Sequence, residues 1–139
     1  MGDYTPVFLP GEIVPLTAST AITGGDLVVV SGSGTVARLG TFAAAPATAW
    51  VGVAAQDAPV NGRVAIYARG VVHESVALGT VTAGDQVTTP ITGDTAGSQV
   101  KTAAAVTTPT AGDVTTTRAI LGVALTTASN PNKVRWMVT

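Results

Sequence analysis

The sequence predicts an all-β protein: a small β-barrel or sandwich built from two similar β units, with an extended N-terminal arm. Three observations predict it. In "GRVAIYARG", Val64, Ile66 and Ala68 alternate with Arg63, Ala65, Tyr67 and Arg69, the period of a strand with one buried face. Such segments are rich in β-branched residues and are bounded by Gly, Asn and Asp, which favour turns. Finally, much of the first half of the chain is written again in the second.

Taken in order, residues 1–20 form the arm. Pro6, Pro10 and Pro15 fix φ, remove backbone donors and push their preceding residues out of the helical region. Tyr4, Phe8, Leu9 and Ile13 make the arm apolar, so it needs cover, either along its own domain or on a partner by strand addition. Residues 21–139 form a single β domain. "DLVVVSG" reads as a strand, and "SGSGTVA" as the turn into the next. "LGTFAAAPATAW" has helix-prone alanines, but Pro46 interrupts them and leaves at best a short helical turn. "WVGVA" and "GRVAIYARGVVHESVAL" follow as strands. "TAAAVTTPTAGDVTTT" is Thr-rich, with a Pro and a Gly, and favours strand or loop.

The repeat gives these elements their organisation. "ITGGDLV" from Ile22 returns as "VTAGDQV" from Val81, 59 positions later. "GVAAQDAPVNGRVAIYA" from Gly52 returns as "GVALTTASNPNKVRWMV" from Gly122, 70 positions later. Gly52-Val53-Ala54 matches Gly122-Val123-Ala124, and Ile66 and Tyr67 match Trp136 and Met137. The difference of 11 residues falls in the middle connection. The two copies are thus residues 21–79 and 80–139, approximately. Each has a GD turn, a strand, a variable Ala/Thr connection, a "GVA" strand, an Asn-containing turn and a closing strand.

Composition excludes several functional classes. The chain has 139 residues, 46% of them hydrophobic but only 4% aromatic, and 11% charged, against about 25% charged in an average soluble domain. The net charge is −1 and the seven basic residues are scattered, unlike the basic stripe of a nucleic-acid binder. There is no cysteine, hence no disulfide, thiolate metal site or cysteine nucleophile. The opening "MGDYTPVFLPGE" lacks the basic n-region and apolar core of a signal peptide. No run approaches the roughly 18 apolar residues of a membrane span. So apolar and weakly charged a surface is poorly suited to a free monomer, and the expectation is that other protein covers much of it.

No motif carries clear chemistry. Asp in the GD pairs caps a turn and Gly supplies a positive φ. A calcium loop needs several oxygen ligands at alternating positions, and each Asp stands nearly alone. A third GD lies in Ala111 to Asp113. Gly32-x-Gly34-x-x-Ala37 follows a strand but opens no helix, which a dinucleotide fingerprint requires. The spacing around Ser33 is wrong for a nucleophile elbow. His73 is the single histidine. In a strand, His73, Glu74 and Ser75 point to alternate faces and cannot form a local relay, so a hydrolase centred on His73 would have to recruit distant residues. Trp50 and Trp136 are expected in the core or a subunit interface; an exposed Trp would instead fit a carbohydrate-binding β-sandwich module on a virion or cell surface. No catalytic residue, cofactor or metal is expected.

The ordered set "YTPVFLPGEIVPLTAS", "AITGGDLVVVSGSGTVA", "WVGVAAQDAPVNGRVAIYARGVV" and "VTAGDQV" resembles the head decoration, or capsid cement, proteins of tailed bacteriophages. The resemblance covers roughly residues 4 to 87. It implies a compact β-rich protein without enzymatic activity. Such proteins sit on the outer face of the expanded head, often as homotrimers, bridge major capsid protein subunits and stabilise the shell; no nucleic-acid or membrane partner is expected of this chain. Capsid contact by the arm would then fall on Asp3, Tyr4, Pro6, Phe8, Leu9 and Pro10. The long Ala/Thr-rich middle of the second half departs from that pattern.

Overall fold

A computed structural model of the chain describes residues 3–5, 12–40, 49–91, 98–103, 111 and 119–139. The described elements are strands. β1 (Ile13–Ala18), β2 (Leu27–Gly32), β3 (Thr35–Arg38), β4 (Trp50–Ala54) and β5 (Arg63–Tyr67) form a closed barrel in the order β1-β3-β2-β4-β5. β6 (Val72–Val76), β8 (Gln86–Thr88), β9 (Lys101–Thr102), β10 (Ile120–Ala124) and β12 (Lys133–Val138) form a second five-stranded sheet, ordered β6-β12-β10-β8-β9. The short strands β7 (Thr80–Val81) and β11 (Ala128–Ser129) pair with each other beside it.

The second sheet repeats the first residue by residue. In the first barrel β1 runs antiparallel to β5 with Ile13 opposite Tyr67 and Leu16 opposite Val64. In the second, β6 runs antiparallel to β12 with Val72 opposite Met137 and Ser75 opposite Val134. Leu27 faces Val53 and Val28 faces Gly52, as Gln86 faces Val123 and Val87 faces Gly122. Both copies then slip register at the same place, across Val51 and across Leu121, so even the bulge is duplicated. The first barrel closes through the parallel pair of β1 and β3 at Thr17–Thr35 and Ala18–Val36. A parallel bridge between Ala77 and Val100 makes the corresponding closure in the second. Both units are therefore small barrels with one strand order, and closure leaves few unpaired edges.

The structural repeat thus starts at β1 and β6. Ile13–Ala18, within the segment assigned to the arm, is a barrel strand. Its Pro15 lies opposite Ala65 on β5, while β3 engages only Thr17 and Ala18, so the missing N–H falls where β1 has a single neighbour.

The cores follow the same rule. Ala18, Ile22, Val28, Val36, Ala54, Ala58, Val64 and Ile66 fill the first barrel. Their counterparts Ala77, Val81, Val87, Val100, Ala124, Ala128, Val134 and Trp136 fill the second, and they also touch Leu27, Leu39 and Val53 from the outside of the first. The two barrels are thereby packed against each other through one continuous apolar cluster. Two sequence readings fall elsewhere: the Ala-rich turn of residues 41–48 and most of the Thr-rich stretch of residues 102–117 lie outside the described residues.

Candidate functional site

The GD turns are architecture. In the first, Asp26 accepts from the Thr23 N–H at 2.9 Å, and its own N–H donates to the Thr23 carbonyl at 3.0 Å. In the second, Asp85 does the same with Thr82, at 3.0 and 3.0 Å. Gly25 and Gly84 sit at φ 94° and 93°, a conformation that glycine adopts without steric cost. Their N–H groups donate to Ala54 and Ala124, both at 2.8 Å, stitching the turn to the end of the "GVA" strand. The Gly24 N–H donates to Asp57 at 2.8 Å, and the Ala83 N–H to the Thr127 hydroxyl at 3.0 Å. The first hydrogen bond holds the exposed Asp57 carboxyl below its usual range. Asp26 is also 3.7 Å from Arg38. Its carboxylate therefore spends itself on the turn, although a crevice of about 230 Å³ opens beside it. The third GD falls at Gly112 and Asp113, outside the described residues.

Gly34 has φ 71° and sits in the tight antiparallel connection between β2 and β3. The glycine-rich stretch is thus a hairpin, as its sequence predicts. Among the described residues, no group of three or more His, Cys, Asp or Glu side chains gathers as metal ligands would, and no helix is long and apolar enough to cross a membrane.

The dense polar and aromatic constellation lies in the seam between the barrels. It collects both tyrosines, both tryptophans and the histidine. Tyr4 of the arm donates its backbone N–H to the Ala55 carbonyl on the first barrel. Its ring stacks on His73 of β6 with centroids 5.6 Å apart. Tyr67 approaches His73 at 6.2 Å and Tyr4 edge-on at 6.3 Å. Below them Trp136 lies 5.2 Å from His73 and 6.4 Å from Trp50. The arm's own domain therefore covers Tyr4. Asp3 is exposed. Pro6, Phe8, Leu9 and Pro10 lie outside the described residues.

His73 is 0% exposed. Burial raises the Tyr4 hydroxyl to about 12, so it stays protonated. It accepts a long hydrogen bond from the Glu74 N–H, 3.4 Å, and lies 2.9 Å from His73 Nδ1. With Tyr4 as donor and Nδ1 as acceptor the imidazole proton sits on Nε2, and the other tautomer reverses the roles of the two atoms. Nε2 finds no partner among the described residues. Neighbouring polar groups are engaged elsewhere: Ser75 Oγ accepts from Trp136 Nε1 at 3.0 Å, and Glu74 pairs with Arg135 at 2.8 Å. The seam buries His73 whole and satisfies one nitrogen. The signal was its apolar flanks, Val71, Val72 and Val76, but the residues that cover it come from positions 4 and 67 and no local pattern announces them.

A testable consequence follows from this burial. Desolvation lowers the His73 pKa from 6.5 to about 4, because charging the ring in the seam has no compensating acid. The folded value lies below the unfolded one, so the stabilisation is complete above about pH 6.5 and is lost as pH falls toward 4. Stability at pH 5 is expected to be about 2 kcal/mol below that at pH 7. Urea titrations at both values, on the native chain and on His73→Phe, measure it. An equal pH slope in the two proteins contradicts the assignment.

Comparison with known protein families finds no match, and neither does comparison with curated proteins. Among solved structures, the chain is similar to the N base of head fiber gp8.5 in bacteriophage phi29, known from its crystal structure. The identity is 14%, and the match covers 92% of this chain and 93% of that chain with a TM-score of 0.54. The two proteins share an all-β fold across nearly their whole lengths.

Proposed function

We propose that this chain is a non-catalytic structural protein of a phage virion, which decorates the outer face of the capsid and stabilises it by bridging major capsid protein subunits. The observation that carries this reading is the likeness of the fold, over 92% of this chain, to the base of a phage head fiber. Sequence features agree with it. The ordered motifs of residues 4 to 87 resemble those of head decoration proteins, and the conspicuous Gly, Asp and His positions serve turns and packing. A shell protein needs a rigid unit with several contact faces, and many copies on a lattice make individually weak contacts sufficient. Capsid contact falls to the arm beyond Tyr4, with Pro6, Phe8, Leu9 and Pro10, and with Asp3 at its exposed start.

The carbohydrate-binding alternative needs an accessible tryptophan. Trp136 is 0% exposed and Trp50 is half-buried against it, which leaves little ring face for a sugar.

The deciding experiment mixes purified protein with expanded, undecorated phage heads and sediments them. Saturable co-sedimentation is expected, and Phe8→Asp combined with Leu9→Asp should abolish it while leaving the far-ultraviolet circular dichroism unchanged. Absence of binding to heads, with retention on a glycan column, would overturn the proposal.

A further inference from the structure

The two barrels are related by their internal repeat, yet their contact uses different faces of each. The first barrel contributes its outer surface on β2, β4 and β5. There Leu27, Val53 and Tyr67 form one row, since Leu27 pairs with Val53 and Val53 with Tyr67. Val29 and Trp50 flank it. Leu27, Val53, Val29 and Trp50 belong to the apolar cluster of the second barrel, and Tyr67 covers His73. The second barrel contributes the start of β6, where Val72 and His73 are 8% and 0% exposed.

Each face has a counterpart that the chain leaves open. On the second barrel, the row Gln86, Val123 and Met137 occupies the positions of Leu27, Val53 and Tyr67. Met137 is 37% exposed, and Leu125, the counterpart of buried Ala55, is 47% exposed. On the first barrel, Ile13 and Val14 occupy the positions of Val72 and His73. They are 54% and 37% exposed. Four of the six exposed large apolar side chains among the described residues therefore lie on these two faces, at repeat positions that are buried or half-buried in the other barrel.

We propose that these two faces bind each other between copies of this chain: the second barrel of one molecule docks its β8-β10-β12 face on the start of β1 in the next. The contact continues, from chain to chain, the contact already made within the chain. Met137 takes the part of Tyr67, and Val14 the part of His73. Because the faces differ, the association is head-to-tail, and it closes into a ring or extends as a filament. The apolar Val14 needs no hydroxyl such as that of Tyr4, so the junction is drier than the internal seam. This inference stands apart from the proposed role on a phage head, since it concerns the free protein and is tested without heads.

Sedimentation velocity and light scattering on the native chain are expected to show concentration-dependent species larger than a monomer. Val14→Glu removes one face and Met137→Glu the other. Each alone should weaken self-association by about tenfold or more. An equimolar mixture of the two variants retains one intact junction and should form a dimer that goes no further. Ile13→Lys and Leu125→Lys, at neighbouring exposed positions, repeat the experiment should either glutamate variant fail to fold. A native chain that stays monomeric at high micromolar concentration overturns the proposal. So does a mixture that remains monomeric while the native chain associates, because the association then uses another surface.

Discussion

Gly122→Ala is expected to unfold the second barrel. A Cβ at residue 122 would overlap the Met137 carbonyl oxygen and carbon and lie 3.2 Å from Val138 Cα. The obstacle is backbone, so no rotamer change relieves it. β10 and β12 would have to separate along the pairs Gly122–Val138, Val123–Met137 and Ala124–Trp136. Those pairs hold Trp136 in the core. A cost of about 4 kcal/mol or more follows, in the range reserved for substitutions that break a packed backbone contact, and that is a large part of a typical folding stability of about 5–15 kcal/mol. Gly40→Ala is the control. An added Cβ there meets only Arg38 atoms, at 3.9 and 4.0 Å, and its effect is expected within about 0.5 kcal/mol. Urea denaturation followed by circular dichroism measures both. A Gly122→Ala midpoint matching that of Gly40→Ala would refute the close approach of the two strands.

The same glycine explains what the sequence makes legible. Gly52 also has its neighbour's backbone, the Tyr67 carbonyl, where a Cβ would go. The "GVA" repeat therefore survives because only glycine fits there, and the GD repeat survives because its turn needs a positive φ and a capping carboxylate. Wherever backbone geometry dictates a residue type, duplication is visible in the letters. β1 and β6 are as closely equivalent in register, yet "IVPLTA" and "VHESVA" share only their last residue. A strand position accepts any side chain that suits its face, so their kinship appears only in the pairing, and β1 reads from its prolines as part of an arm. The choice between barrel and sandwich was open for a related reason. Alternation reports one buried face, and both architectures supply one. The seam was hidden altogether, since Tyr4, Tyr67 and His73 meet across long sequence separations.

Trp136→Ala is expected to cost about 4 kcal/mol, the range for removing a fully buried large aromatic. Trp136 is the largest of the fully buried side chains, and its loss also strands Ser75 Oγ, which accepts the indole N–H at 3.0 Å. Trp50→Ala, at a half-buried position whose Nε1 has no partner among the described residues, should cost clearly less. Equal shifts in urea midpoint for the two would contradict this placement of the indoles. The repeat adds a sharper test. Where the second barrel has Trp136, Ser75 and His73, the first has Ile66, Leu16 and Val14 at equivalent positions. One very large, one small and one medium side chain are exchanged for three of middle size. Trp136→Ile alone leaves a cavity and an orphaned hydroxyl, so it should destabilise nearly as much as a smaller truncation. Adding Ser75→Leu fills the space and removes the hydroxyl together, and the pair should recover at least about 1 kcal/mol relative to the sum of the single effects, as contacting residues do. His73→Val then removes the histidine but leaves Tyr4 without its acceptor, so the third step should recover less. Additive effects throughout would mean that the two barrel interiors are not alternative solutions to one packing problem.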